Sequence, residues 1–131
     1  MEISHPLLGK YTIIKKVGRG TFASVFLAKH QNLRYPVGIK IFKEGNEENV
    51  QNSFNITKTI MHPFICQDFD LIKTPKGEDC VIMEYIEGKT LLEYANQNAP
   101  LSNSQIQTIF GQLVIAIDFL HKHQIIHRDL K

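Results

Sequence analysis

Two glycines decide what the N-terminal half of this chain can become. Gly18 and Gly20 flank Arg19, between the run Tyr11-Thr12-Ile13-Ile14-Lys15-Lys16-Val17 and the run Phe22-Ala23-Ser24-Val25-Phe26-Leu27. Both runs are rich in β-branched and aromatic side chains, which favour extended backbone. Glycine between them permits the chain to reverse, because without a Cβ it reaches conformations that other residues avoid. The expectation is an antiparallel hairpin, with Tyr11, Ile13 and Val17 on one side of its first strand at a period of two. The same missing Cβ atoms let main-chain amides approach an anion such as phosphate closely.

A second architecture competes for the same residues. Gly18-x-Gly20-x-x-Ala23 also fits a dinucleotide-binding turn, which runs from a strand into a helix and has an acid roughly 20 residues further on. Phe22–Leu27 prefers a strand, and the residue about 20 positions on is Lys40, in a stretch without acids. A hairpin folding over phosphates fits better. Lys40 itself lies inside Pro36-Val37-Gly38-Ile39-Lys40-Ile41-Phe42, after a polar turn at Gln31–Tyr35. A charge within an apolar strand is costly unless it is paired or binds an anion. The alternative is an edge-strand lysine whose ammonium reaches water.

Further along, Val50, Phe54, Thr57 and Met61 recur at helical spacing, so Asn46–Met61 reads as a helix ended by His62-Pro63. Cys66–Lys73 and Asp79–Glu84 read as a hairpin about Thr74-Pro75-Lys76-Gly77, and the second strand runs on into Tyr85-Ile86-Glu87-Gly88. Thr90–Asn98 is a short helix ended by Pro100. Ser102 and Gln105 form a capping box that opens a long helix. On that helix Ile106, Ile109, Phe110, Leu113, Val114, Ile117 and Leu120 make an apolar stripe that reads as core packing. His121 and His123 are helix-end residues without a third metal ligand nearby. The last seven residues are Ile125-Ile126-His127-Arg128-Asp129-Leu130-Lys131.

Taken in order from Tyr11 to Lys131, these motifs resemble those of the protein kinase family, of the Ser/Thr-directed type. The resemblance implies an α+β fold: a lead-in at residues 1–10, then at 11–86 a kinase small lobe with a five-stranded antiparallel sheet and one helix. Residues 87–131 would hold the first two helices of the large lobe and the start of the catalytic loop. It also implies ATP as cofactor, bound by Val17, Gly18, Gly20, Val25, Gly38, Lys40, Met83, Glu84 and Ile86. In that assignment Lys40 reaches the α- and β-phosphates, Met83 is the gatekeeper, and the Glu84 carbonyl and Ile86 amide face the adenine edge. Gly38 replaces the usual Ala, which loosens the wall over the adenine. Asp129 is the implied base for the substrate hydroxyl, and Lys40 and Lys131 complete the implied catalytic set.

Two departures bear on activity. Counting back from His62-Pro63, Ser53 stands where the family keeps a Glu to pair with the lysine, and no acid occurs between Asn49 and His62. Glu47 and Glu48 are more than a turn away and, at about 100° per residue, do not share the face of Ser53. The family's magnesium ligands, an Asn and the aspartate of Asp-Phe-Gly, belong beyond Lys131, so no metal ligand is assigned here. Three readings stay open. The first is a Ser/Thr protein kinase that transfers the ATP γ-phosphate to protein hydroxyls, present as a truncated form inactive by itself. The second is a degenerate kinase-like interaction module, or pseudokinase, which Ser53 favours. The third is a dinucleotide-binding domain.

Bulk properties narrow the partners. A chain of 131 residues with 43% hydrophobic and 21% charged content is about one domain long. Its formal charge of +2 is too small to argue for nucleic acid or a membrane surface. Neither a charged leader nor an apolar run near the ~20 residues of a spanning helix is present. Cys66 and Cys80 lack CxxC spacing and read as buried free thiols within strands, which points to a reducing, cytoplasmic setting. With its stripe uncovered by further large-lobe helices, the 102–122 helix is expected to self-associate or to need a partner protein.

Overall fold

The computed structural model describes residues 7–131. Most of the expected lead-in lies outside the described residues, but Leu7–Leu8 form a two-residue strand, β1. There follow β2 (Tyr11–Arg19), β3 (Ala23–His30), β4 (Pro36–Phe42), α1 (Glu47–Thr57), β5 (Asp68–Lys73), β6 (Asp79–Glu84), α2 (Leu91–Asn98) and α3 (Asn103–Lys122). The strands form one antiparallel sheet in the order β1-β2-β3-β4-β6-β5. The fold is thus the expected α+β one: a five-stranded antiparallel sheet with one helix, extended at its edge by β1, followed by helices. The chain packs as two units. One comprises the described residues through Met61 together with Cys66–Ile86, and the other comprises His62–Ile65 with Glu87–Lys131.

In the first unit the period of two along β2 does not survive. Ile13 pairs with Ala28 but Lys15 with Leu27, and Lys16 pairs with Phe26 but Gly18 with Val25. Each step inserts an extra residue, a bulge that turns the following side chains over. Tyr11 and Ile13 therefore stay on one face, while Val17 leaves it and is 43% exposed. One face of the sheet buries Ile13, Phe26, Ala28, Val37, Ile39, Cys80 and Ile82. The Tyr11 phenol pKa is pushed up, first by burial and then by the Asp70 carboxylate.

The other face receives α1. Val50 and Phe54 pack on Val81, with Phe42, Leu71 and Met83 around them. The helix stops at Thr57, short of the expected Met61, which is 81% exposed. Thr57 shares its single hydroxyl proton between the Ser53 carbonyl and the closer Asp68 carboxylate, and the Thr59 hydroxyl bonds to the Ile56 carbonyl; such side chains compete with the helical ladder. The residue before Pro63 is in turn biased away from helix. Strand β5 likewise begins at Asp68, leaving Cys66 ahead of it. In the β5–β6 turn the Gly77 amide donates to the Thr74 carbonyl at 2.8 Å, and Gly77 takes φ +87°, which only glycine adopts without strain.

In the second unit both helices begin with a reciprocal cap: Thr90 with Glu93 on α2, and Ser102 with Gln105 on α3. Helix α3 ends in a Schellman motif. Gln124 adopts φ 61° while the Ile125 amide reaches the Leu120 carbonyl and the Gln124 amide the His121 carbonyl. Phe119 stacks between His62 and His123, with ring centroids 4.7 and 4.3 Å away. The expected core stripe is mostly open: Ile106, Phe110, Leu113 and Val114 are exposed, and the buried residue of α3 is Ala116. Within this unit the neighbours of α3 are one short helix and a four-residue segment, too little surface to cover a twenty-residue helix all round. No helix among the described residues is long and apolar enough to cross a membrane.

Candidate functional site

Strand register brings five of the eleven sequence-predicted site residues onto one face of the sheet. Gly18 pairs with Val25, Val25 with Lys40, and Lys40 with Val81, so these residues form one cross-strand row. The next row holds Leu27, Gly38, Met83 and Asp68. Directly paired residues share a face and alternate residues return to it, so Gly18, Val25, Gly38, Lys40 and Met83 all lie on the α1 side.

The loop between β2 and β3 presents main-chain donors. The Gly20 amide is taken up by the Ala23 carbonyl at 2.7 Å. The Thr21 and Phe22 amides donate to no group among the described residues, and both residues are exposed. A Cβ at Gly18 would come no closer than 3.9 Å to Val25, and one at Gly20 no closer than 3.5 Å to the Ala23 carbonyl. Both are ordinary contacts, and neither glycine has positive φ. Intrachain packing therefore does not require glycine at either position.

Lys40 is half-buried, and its ammonium lies 5.1 Å from the Phe42 ring centroid. Among the described residues it forms no ion pair. Gly38 has a different neighbourhood. A Cβ there would sit 3.2 Å from Met83 Cγ, 3.3 Å from Met83 Cε and 3.4 Å from the Glu84 carbonyl oxygen. The space that the missing methyl was expected to loosen is filled by the Met83 side chain.

The segment ahead of β5 braces the end of β6. The Glu84 amide donates to the Gln67 carbonyl at 2.8 Å, and the Glu84 carboxylate accepts from the Gln67 amide at 3.2 Å. The Glu84 carbonyl, expected to face a ligand, also accepts from Cys66 Sγ at 3.4 Å. Burial, then the carboxylates of Glu84 and Asp68, push the Cys66 thiol up to about 11. Ile86 is 62% exposed at the end of this unit.

Sequence reasoning missed Asp68. Its carboxylate accepts a 2.5 Å hydrogen bond from the Thr57 hydroxyl, one turn beyond Ser53 on α1. Paired with Met83, it places an acid on the same face as Lys40. A β-bulge at Phe69 creates this placement, and no local signal in the sequence announces it.

In the second unit, Asp129 and Lys131 come together, with Nζ 3.3 Å from Oδ2 and both side chains largely exposed. The Asp129 amide donates to His127 Nδ1 at 3.1 Å. Arg128 between them has φ 66°, a left-handed conformation that costs about 1 kcal/mol or more for a residue with a Cβ. Such strain concentrates at functional loops. A cleft of about 740 Å³ between α2 and α3, lined by Leu91, Tyr94, Thr108 and Ile109 among others, contains none of the predicted residues.

Comparison with known proteins places these features in context. The family model described as "Protein kinase domain" matches residues 11–131. The SNF1-related protein kinase catalytic subunit alpha KIN12 of Arabidopsis thaliana is 34% identical over 95% of this chain and 26% of that protein. The carbon catabolite-derepressing protein kinase of Saccharomyces cerevisiae is 32% identical over 95% of this chain and 20% of its own length. The serine/threonine-protein kinase PrkC of Bacillus subtilis is 36% identical over all of this chain and 21% of that protein. The chain thus spans about a fifth to a quarter of the curated relatives it matches.

Proposed function

This chain belongs to the protein kinase family, and we propose that it carries the nucleotide-holding half and the catalytic base of an ATP-dependent Ser/Thr protein kinase. The observation that carries the proposal is the loop at Gly18–Phe22: two unpartnered amides beside glycines that packing does not require, on the face that bears Lys40. A triphosphate is the ligand whose charge suits both the amides and the half-buried ammonium. ATP, when bound, supplies the phosphoryl group.

Lys40 then holds the α- and β-phosphates, Val25 and Gly38 line the adenine against Met83, and the Glu84 carbonyl and Ile86 amide meet its edge. Asp129 accepts the proton of the incoming protein hydroxyl, and Lys131 beside it holds the transferred charge. The name of the Bacillus subtilis relative, a serine/threonine-protein kinase, supports the Ser/Thr reading. Magnesium that travels with ATP is held by one or two carboxylates and the phosphates, and the resemblance assigns no such carboxylate among the residues described. The two free thiols support a cytoplasmic setting.

A second reading has its own support. Ser53 stands in place of the helix acid and Lys40 has no ion pair, which suits a pseudokinase that binds nucleotide without transferring phosphate. Calorimetric titration with ATP tests the shared part of both readings. Lys40→Ala should weaken binding about tenfold or more, as loss of a charge-assisted contact does. Unchanged affinity would remove the nucleotide site. Labelled ATP with a basic protein acceptor then separates the two, since incorporation abolished by Asp129→Asn belongs to the kinase alone.

A further inference from the structure

We propose that Lys43 is a positioning residue for the glycine loop: it fastens the loop from behind and thereby aims the Phe22 amide at phosphate. The inference rests on the nucleotide reading given above. Lys43 follows the last residue of β4 and meets the loop twice. Its amide donates to the Phe22 carbonyl at 2.9 Å, and its ammonium donates to the Thr21 carbonyl, also at 2.9 Å.

The consequence follows from peptide geometry. A trans peptide is planar, with its C=O and N–H pointing in opposite directions. The Thr21 carbonyl and the Phe22 amide belong to one such plane. Drawing the Thr21 oxygen toward Lys43 therefore turns the Phe22 N–H to the opposite side of the loop. The Phe22 carbonyl, held by the Lys43 amide, fixes the next plane in the same way. The alternation that sets Lys40 on the α1 side of β4 sends Lys43, three residues on, to the other side. One lysine thus meets the phosphates while the other holds the loop from its back. The Phe22 amide has no intrachain partner, so its direction depends on this fastening rather than on a bond of its own. Lys43 is exposed, and no core contact depends on it.

The test compares the 131-residue wild type with Lys43→Met, which keeps the length but not the donor, and with Lys43→Arg, which keeps a donor. Affinities for ADP and for adenosine are measured by calorimetry, and amide order parameters of Thr21 and Phe22 by NMR without nucleotide. Lys43→Met should bind ADP about three- to tenfold more weakly, the range of one hydrogen bond. Adenosine affinity should not change, the Phe22 order parameter should fall toward the flexible range, and Lys43→Arg should restore ADP binding and order. A Lys43→Met variant that binds ADP like wild type, or loses adenosine equally, overturns the inference and leaves the nucleotide site standing. A wild type that binds neither ligand overturns the nucleotide reading, and this inference with it.

Discussion

Replacing Ser53 with Glu asks whether the helix face that should address Lys40 does so in this fold. Ser53 lies on α1 beside Phe54 and three residues after Val50, the two side chains packed on Val81. Val81 is the cross-strand partner of Lys40. A carboxylate at position 53 therefore points along the edge of the contact between α1 and the row that holds the lysine. Unit charges 4 Å apart interact by about 4 kcal/mol at an effective dielectric constant of 20. Ser53 is exposed, so screening and side-chain entropy bring the net value toward the roughly 1 kcal/mol seen for solvent-facing pairs. Asp68, held by Thr57 one turn further along α1, repels the new charge but does so alike with Lys or Met at position 40, so it leaves the pair's coupling untouched. A coupling of about 0.5–1 kcal/mol between Ser53→Glu and Lys40→Met is expected from urea unfolding of the four variants in a double-mutant cycle. Asp68→Asn should lower the cost of Ser53→Glu itself by a few tenths of a kcal/mol and leave the coupling unchanged, because that repulsion is the same whichever residue stands at position 40. A coupling indistinguishable from zero in both backgrounds would show that α1 does not present position 53 to the lysine.

Three further outcomes follow from particular contacts. Gly38→Ala sets about 0.4–1 kcal/mol gained by restricting the unfolded chain against crowding of Met83 at 3.2 Å; because methionine repacks readily, thermal unfolding should show a net loss below about 1 kcal/mol, whereas Gly38→Val should cost about 1–3 kcal/mol. Thr57→Val removes the donor to the half-buried Asp68 carboxylate, and denaturant melts should register a loss of about 1–3 kcal/mol, against almost none for Thr59→Val, whose hydroxyl bonds only to a local carbonyl. Burial holds the thiols of Cys66 and Cys80 up to about 11 and about 12, so their contribution to stability is complete below the ordinary thiol pKa and is lost as pH rises through those values. At pH 8 both should therefore resist a thiol reagent in native buffer and react at once in denaturant, and rapid native labelling of Cys80 would contradict its burial.

What the sequence by itself determined is whatever a few neighbouring residues can settle. Two β-rich runs with a short break between them give a hairpin, although neither Gly18 nor Gly20 takes the positive φ that only glycine favours; Thr74-Pro75-Lys76-Gly77 gives a turn, and Ser102 with Gln105 caps a helix, because each acts within a few residues of backbone. The ordered motifs from the glycine loop to Asp129 were legible for the same reason, and with them the family. Tertiary structure decided the rest. Bulges after Ile13 and Lys16 moved Val17 off the face that a period of two assigns it. The bulge at Phe69 set Asp68 beside Met83 and against Thr57, and strand pairing brought Met83 onto Gly38. Lys43 meets Thr21 across twenty-two residues of chain. The apolar stripe of α3 reads as core from its spacing alone, yet it is open among the described residues. Periodicity tells which side chains share a side of an element; whether that side is covered depends on which distant segment pairs or packs there.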